Sequence, residues 1–292
     1  MPIPVLRAMP TLAVIAICFC LVASGRGEQG RIATNEIVKP TLLADVDAAV
    51  PGSTFTLGVR LKIAPRYHTY WINPGEFGNP TRIKIAGPIG FDFGEIQWPL
   101  PTRIEHDGSV TFGYENDVLL MIPVKVAAGV PISGAANITA DVNWLSCSDA
   151  CIEGAAKLRI VLPIGAKAGP ANVALFDAWR NCLPISTGNP DASQVIMNAV
   201  QAKAADGAPL PALTVQWKAA PTTLEWFPVA TAAIAVENVD IKQDGPITRI
   251  AFKPTIYKPD QIPGGKIDSV LVYKDARGNR HGIAIPVAVK KE

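Results

Sequence analysis

Residues 53 to 63 read STFTLGVRLKI, so that Phe55, Leu57, Val59, Leu61 and Ile63 recur at every second position while Thr54, Thr56, Arg60 and Lys62 fall between them. A period of two puts successive side chains on opposite faces of an extended chain, whereas a helix needs a spacing of three or four. The segment is therefore a half-buried strand, of the kind that packs one face on a core in an antiparallel sheet. The same alternation returns in Ile138, Ala140, Val142 and Trp144 against Thr139, Asp141 and Asn143. It returns again in Leu158, Ile160 and Leu162 against Lys157, Arg159 and Val161. Weaker strand signals lie at 81 to 86 and 118 to 126, where Pro123 cannot donate to a ladder and suggests an edge position or a bulge.

Short strands separated by Gly and Pro turns, with no rhythm of strands alternating with helices, point to an immunoglobulin-like β-sandwich. The pattern then changes. From 170 to 205 it is helical, with Val173, Phe176, Trp179 and Leu183 three or four apart and a break between Pro184 and Pro190. A second helix is expected over 191 to 205, using Ile196 and Val200 as its apolar pair. Strand signals resume with Leu213, Val215 and Trp217, and continue at 234 to 239, 247 to 252, 270 to 273 and 283 to 289. The expected fold class is mainly all-β: a sandwich over 26 to 168, a short helical connector over 169 to 205, and a second β-rich domain over 206 to 292. A chain of 292 residues accommodates two domains of about 150 residues each.

The amino terminus carries one charge, Arg7, then an apolar run over residues 12 to 22 and the small residues Ala23, Ser24 and Gly25. This is the pattern of a secretory signal peptide, too short for the ~20 apolar residues of a permanent membrane span. Removal over 1 to 25 would take Cys18 and Cys20 with it and leave Cys147, Cys151 and Cys182 in an exported, soluble, nearly neutral protein. A net charge of +2 without any run of five Lys or Arg leaves no electrostatic footprint for nucleic acid. With hydrophobic residues at 49%, intrinsic disorder is disfavoured.

Cys147 and Cys151 stand four residues apart in WLSCSDACIEG, in a connection of about eleven residues, 146 to 156, between two strands. An extended chain covers about 13 Å in four steps, and disulfide-bonded Cα atoms lie within about 7 Å. The segment must turn if the two are to bond. Closing so short a ring stabilises a fold by only about 2 kcal/mol, and a short-range pair in a surface loop is more readily exchanged than a buried bridge. Spacing alone leaves a structural disulfide equally open.

Four segments carry a resemblance to a known family. HTYWINPGEFGNPT at 68 to 81, IQWPLPTRI at 96 to 104, FGYENDVLL at 112 to 120 and WLSCSDACI at 144 to 152 resemble, in that order, the amino-terminal periplasmic domain of DsbD-type thiol:disulfide interchange proteins. The ScsB-like branch, associated with copper-stress tolerance, is the most similar, and LFDAWRNCLP and LEWFPVA look like the region that follows there. The resemblance spans about residues 40 to 165. It implies an immunoglobulin-like domain in which Cys147 and Cys151 are the redox pair. It also implies that the aromatic loop over 67 to 77, with His68, Tyr70, Trp71 and Phe77, together with Tyr114, supplies a cap over the cysteines or tunes them. The implied setting is periplasmic. The implied partners are a thioredoxin-like or membrane electron-donor protein and periplasmic proteins bearing disulfides, with no cofactor. Because no membrane segment or thioredoxin-like domain is found before Glu292, the electrons are expected from a separate protein.

Asp149 and Glu153 flank the pair and could accept protons, although acidic neighbours also raise thiol pKa values. Cys182 is expected in the connector helix, where a lone cysteine usually packs as an inert small hydrophobe. Two thiolates and a histidine would suit Cu(I), which makes copper binding an alternative. Against it, none of His68, His106 and His281 is near the pair in sequence, and no metal site is assigned. A non-catalytic periplasmic interaction module with a structural disulfide is the other alternative. Hydrolase and nucleotide-binding motifs are missing.

Overall fold

The computed structural model describes Met1 and residues 34–106, 108–203 and 211–289. The expected signal peptide, with Cys18 and Cys20, lies outside the described residues. After a one-turn helix α1 (Thr34–Ile37), ten strands form two sheets: β1 (Val38–Ala44), β2 (Thr54–Ile63), β3 (His68–Gly75), β4 (Arg82–Ala86), β5 (Phe91–Phe93), β6 (Thr102–His106), β7 (Ser109–Glu115), β8 (Asp117–Val126), β9 (Ala135–Cys147) and β10 (Cys151–Pro163). One sheet has the order β1-β2-β8-β5; the other has the order β10-β9-β3-β7-β6, with β4 also beside β9. The alternating residues of β2 are all buried, Leu57, Val59 and Leu61 completely. They meet Ile138, Val142 and Trp144 of β9 in one core. This is the immunoglobulin-like sandwich that the period-two pattern requires.

Strand β8 is an inner strand, paired with β2 on one side and β5 on the other, so Pro123 is neither at an edge nor in a bulge. The reason it is tolerated is local. Its carbonyl accepts from Gly94 N at 2.9 Å, just past the end of β5 at Phe93, so the side on which Pro123 lacks an N–H is one where the ladder has already ended.

Helix α2 (Val173–Arg180) lies on the outer face of the β2/β8 sheet, where Phe176 packs against Leu119 and Met121. Gly58 makes this contact feasible: a Cβ there would stand 2.6 Å from the Leu119 side chain and 3.0 Å from the Phe176 ring. The helix ends at Arg180, so Cys182 sits in the turn after it, its Sγ directed to Ala178 O at 3.4 Å.

The remaining elements are β11 (Ile185–Ser186), α3 (Pro190–Val195), β12 (Ile196–Lys203), β13 (Pro211–Trp217), β14 (Thr223–Pro228), β15 (Ile234–Asp244), β16 (Ile247–Ile256), β17 (Lys266–Ile267), β18 (Ser269–Lys274), β19 (Arg280–Ala284) and β20 (Val287–Ala288). Two four-stranded sheets, β11-β19-β18-β14 and β12-β13-β16-β15, enclose a second core around Trp217, Trp226, Phe252 and Leu271. The helix expected over 191 to 205 stops at Val195, and β12 follows, paired with β13. Ile196 and Val200 are four apart, a spacing that shares a face in a strand as well as in a helix, so the pair could not discriminate.

Along β18, Leu271 and Tyr273 enter the second core while Val270 and Val272 enter the first. Phe227 of β14 joins them, its ring 5.0 Å from Phe112 and 6.1 Å from Trp71. Asn73 Nδ2 donates to Pro228 O at 2.6 Å across the same junction. The sheet containing β14 and β18 is therefore buried on both faces.

Candidate functional site: a disulfide at the tip of a hairpin

Strands β9 and β10 pair over thirteen residues, from Ala135 opposite Pro163 to Cys147 opposite Cys151. The last rung of the ladder is the disulfide itself, with a Cα–Cα distance of 4.1 Å. Only Ser148, Asp149 and Ala150 link the strands, and Ser148 N donates to Ala150 O at 3.2 Å. The connection is thus far shorter than the eleven residues expected. The sequence hides this because Gly154 looks like a turn residue. In the structure it lies under Trp144, whose ring a Cβ would approach to 2.2 Å.

The two sulfurs differ in access. Cys147 is only 3% exposed, whereas Cys151 faces solvent. Both belong to the outward side of their strands, opposite to the core positions Val142 and Trp144. Across the sheet, His68 at the start of β3 is the rung partner of Cys147. Two residues on, Tyr70 brings its hydroxyl to 3.9 Å from Cys151 Sγ, and its ring meets His68 edge-on at 5.0 Å. Tyr70 is held from above by the chain after β3. At Gly78 the φ is +106° and a Cβ would fall 2.2 Å from the Tyr70 ring, so only glycine serves there.

Charges gather at the rim. Asp149 in the hairpin turn lies 3.4 Å from Arg66 Nη2 and 4.0 Å from His106 Nε2. Sequence distance gave no hint of the second contact, which depends on the β6–β7 hairpin reaching the turn. His68 is 7% exposed, and burial first, then the nearby His106, lowers its imidazole below the usual value of 6.5. Its Nε2 is buried without a hydrogen-bond partner among the described residues. Burial raises the Tyr70 phenol, keeping it protonated where thiols react. Beside the hairpin, a groove of about 520 Å³ is lined by Asn79, Pro80, Arg82, Asn143, Leu145 and Glu153. Leu145 and Glu153 form the next outward pair down from the disulfide.

Of the residues expected to cap or tune the pair, the structure brings His68 and Tyr70 to it. Trp71 points into the sandwich core. Tyr114 is buried there too, its hydroxyl donating to Pro99 O at 2.8 Å, and burial holds it well above the ordinary phenol range. Phe77 is 64% exposed, out in the loop after β3. Cys182 and His281 lie elsewhere, against Ala178 and Asp275. Among the described residues, no group of three or more His, Cys, Asp or Glu is placed to hold a metal ion. No helix among them is long and apolar enough to cross a membrane.

Comparison with known proteins agrees with this geometry. Residues 34–163 match the family model described as the N-terminal domain of the thiol:disulfide interchange protein DsbD. The N-terminal periplasmic domain of ScsB from Proteus mirabilis superposes with a TM-score of 0.61 at 16% identity, over 85% of this chain and 92% of that one. That match extends well past residue 163, so both sandwiches share its fold. The DsbD N-terminal domain of Neisseria meningitidis, in its reduced form, is 13% identical over 49% of this chain and 96% of that one, with a TM-score of 0.27. No curated protein matches the chain.

Proposed function

We propose, from the premise that residues 34–163 are a DsbD-type N-terminal domain, that the Cys147–Cys151 pair performs thiol–disulfide exchange with other proteins. The observation that carries this reading is the unequal access of two bonded sulfurs on the last rung of a hairpin, Cys147 buried and Cys151 open. A bridge that served only to staple the strands would add about 2 kcal/mol to a thirteen-rung ladder that has its own core.

In the reducing direction, the Cys151 thiolate attacks a partner disulfide. A mixed disulfide forms and one partner sulfur leaves as thiolate. Cys147 then attacks Cys151 Sγ, the Cys147–Cys151 bond forms, and the second partner sulfur departs. Two electrons pass from the pair to the partner. Recharging reverses these steps against a dithiol donor, a thioredoxin-like protein or a membrane electron carrier. Tyr70, its hydroxyl 3.9 Å from Cys151 Sγ, is placed to donate a hydrogen bond to the attacking thiolate. The setting is the periplasm, as in the ScsB domain, with residues 26 to 168 as the exchanging domain and the second sandwich, β11 to β20, as a companion that buttresses it.

Trapping tests the reading. Reduced Cys147→Ala protein mixed with oxidised glutathione should accumulate a mixed disulfide at Cys151, visible by intact mass. Cys151→Ala should be captured at least about tenfold more slowly, because its remaining sulfur is buried. Absence of capture by either variant would overturn the exchange function, and equal capture would overturn the division of roles.

A further inference from the structure

His68 occupies an unusual position: a nine-tenths buried imidazole whose Nε2 finds no partner, on the rung directly opposite the buried sulfur. Residues facing each other on adjacent antiparallel strands hold their Cβ atoms about 4.5–5.5 Å apart. An orphaned buried polar nitrogen is costly unless some state of the protein satisfies it. Disulfide sulfur is at best a weak acceptor, but reduction turns Cys147 into an S–H donor. Resting on the exchange reading above, we infer that His68 is the proton acceptor that activates Cys147 when it closes the mixed disulfide.

The step balances. The Cys147 S–H proton moves to His68 Nε2 as the sulfur attacks Cys151 Sγ. The Cys147–Cys151 bond forms, the bond from Cys151 to the partner breaks, and the departing partner thiolate takes the proton from the imidazolium. No other reactant enters. Burial serves the role, because an imidazole held below its ordinary pKa is neutral and ready to accept at pH 7.

The titratable and charged groups around it are few. Tyr70 on its own strand stays protonated, and Glu115 is its rung partner on β7. Cys147 and Cys151 face it from the β9–β10 hairpin, and His106, Arg66 and Asp149 form the rim. Asp149 is engaged by Arg66 and His106 at the rim, and no carboxylate is hydrogen-bonded to His68 Nε2 among the described residues.

The test separates the two sulfurs in time. Reduced protein carrying Cys182→Ala, which removes the third thiol, mixed with excess dithiobis(nitrobenzoate) should release one coloured thiolate as Cys151 attacks and a second as Cys147 closes the ring; this background serves as wild type below. In His68→Gln the first phase should stay within about twofold, while the second slows by about tenfold or more at pH 7. The gap should narrow as the pH is raised, because hydroxide then takes the proton that the imidazole otherwise accepts. In wild-type protein, the second-phase rate plotted against pH should show an inflection below 6.5 that the variant lacks. The wild-type inflection itself is read without any substitution at a buried position. Equal slowing of both phases, an unchanged second phase, or an inflection shared by both proteins would overturn the role of His68 and leave exchange standing. A wild-type protein with no second phase at all would overturn both.

Discussion

At the residue scale, the site depends on which side of a strand each side chain occupies. His68 and Tyr70 are two apart on β3, the first on the rung of Cys147 and the second with its hydroxyl beside Cys151 Sγ; Trp71, one step on, belongs to the core. The motif around residue 70 was legible in the sequence, but the parity that divides its aromatics was not, because the four residues from His68 to Trp71 are all buried and show no alternation. His68 also leaves a thermodynamic signature. Its folded pKa lies below the 6.5 of the free side chain, so below that pH the unfolded chain binds more protons and stability falls as pH falls. Melting temperature should therefore drop more between pH 7 and pH 5 in wild-type protein than in His68→Gln, and parallel curves would refute the burial of a neutral imidazole. Gly154→Ala should cost about 1–3 kcal/mol in a urea titration, because the new methyl is driven into the Trp144 ring.

At the element scale, β2 and β9 were readable from alternation alone, because each has one face on the core. The failures came where an element is covered twice or where its spacing is ambiguous. Strand β8 carries Leu119 and Met121 under α2 as well as Leu120 and Ile122 in the sandwich core, so its burial is nearly continuous. Strand β12 took the place of an expected helix because a four-residue spacing fits both periods. Helix α2 depends on one anchor. Phe176→Ala should cost about 3–5 kcal/mol by chemical denaturation. Gly58→Val should also destabilise, by closing the space the Phe176 ring approaches. Neither change should alter the rate at which Cys151 reacts, since α2 lies on the opposite sheet from the hairpin.

At the scale of the whole molecule, the succession of strand signals gave a sandwich followed by more β structure, but it did not reveal the core that the two share. The run Val270 to Tyr273 has every side chain buried, and only the structure divides it into two residues for each core. Phe227 crosses the junction, its ring against those of Trp71 and Phe112. With so much apolar surface shared, the described fold should melt in a single calorimetric transition, and Phe227→Ala should lower it; two resolved peaks in the wild-type protein would contradict a shared core. This junction packs against β3, which carries Tyr70 beside Cys151 and His68 on the rung of Cys147, and the role proposed for the second sandwich is to hold that strand rigid. The central claim remains that the Cys147–Cys151 bond is made to be exchanged. The most direct measurement mixes the folded, oxidised protein with stoichiometric reduced thioredoxin and counts free thiols by alkylation and mass over time. Opening of the Cys147–Cys151 bond in the native state, with thioredoxin oxidised in equal amount, is the result expected. A bond that thioredoxin leaves closed, and that opens only when the protein is unfolded in reductant, would identify a structural staple and contradict the account.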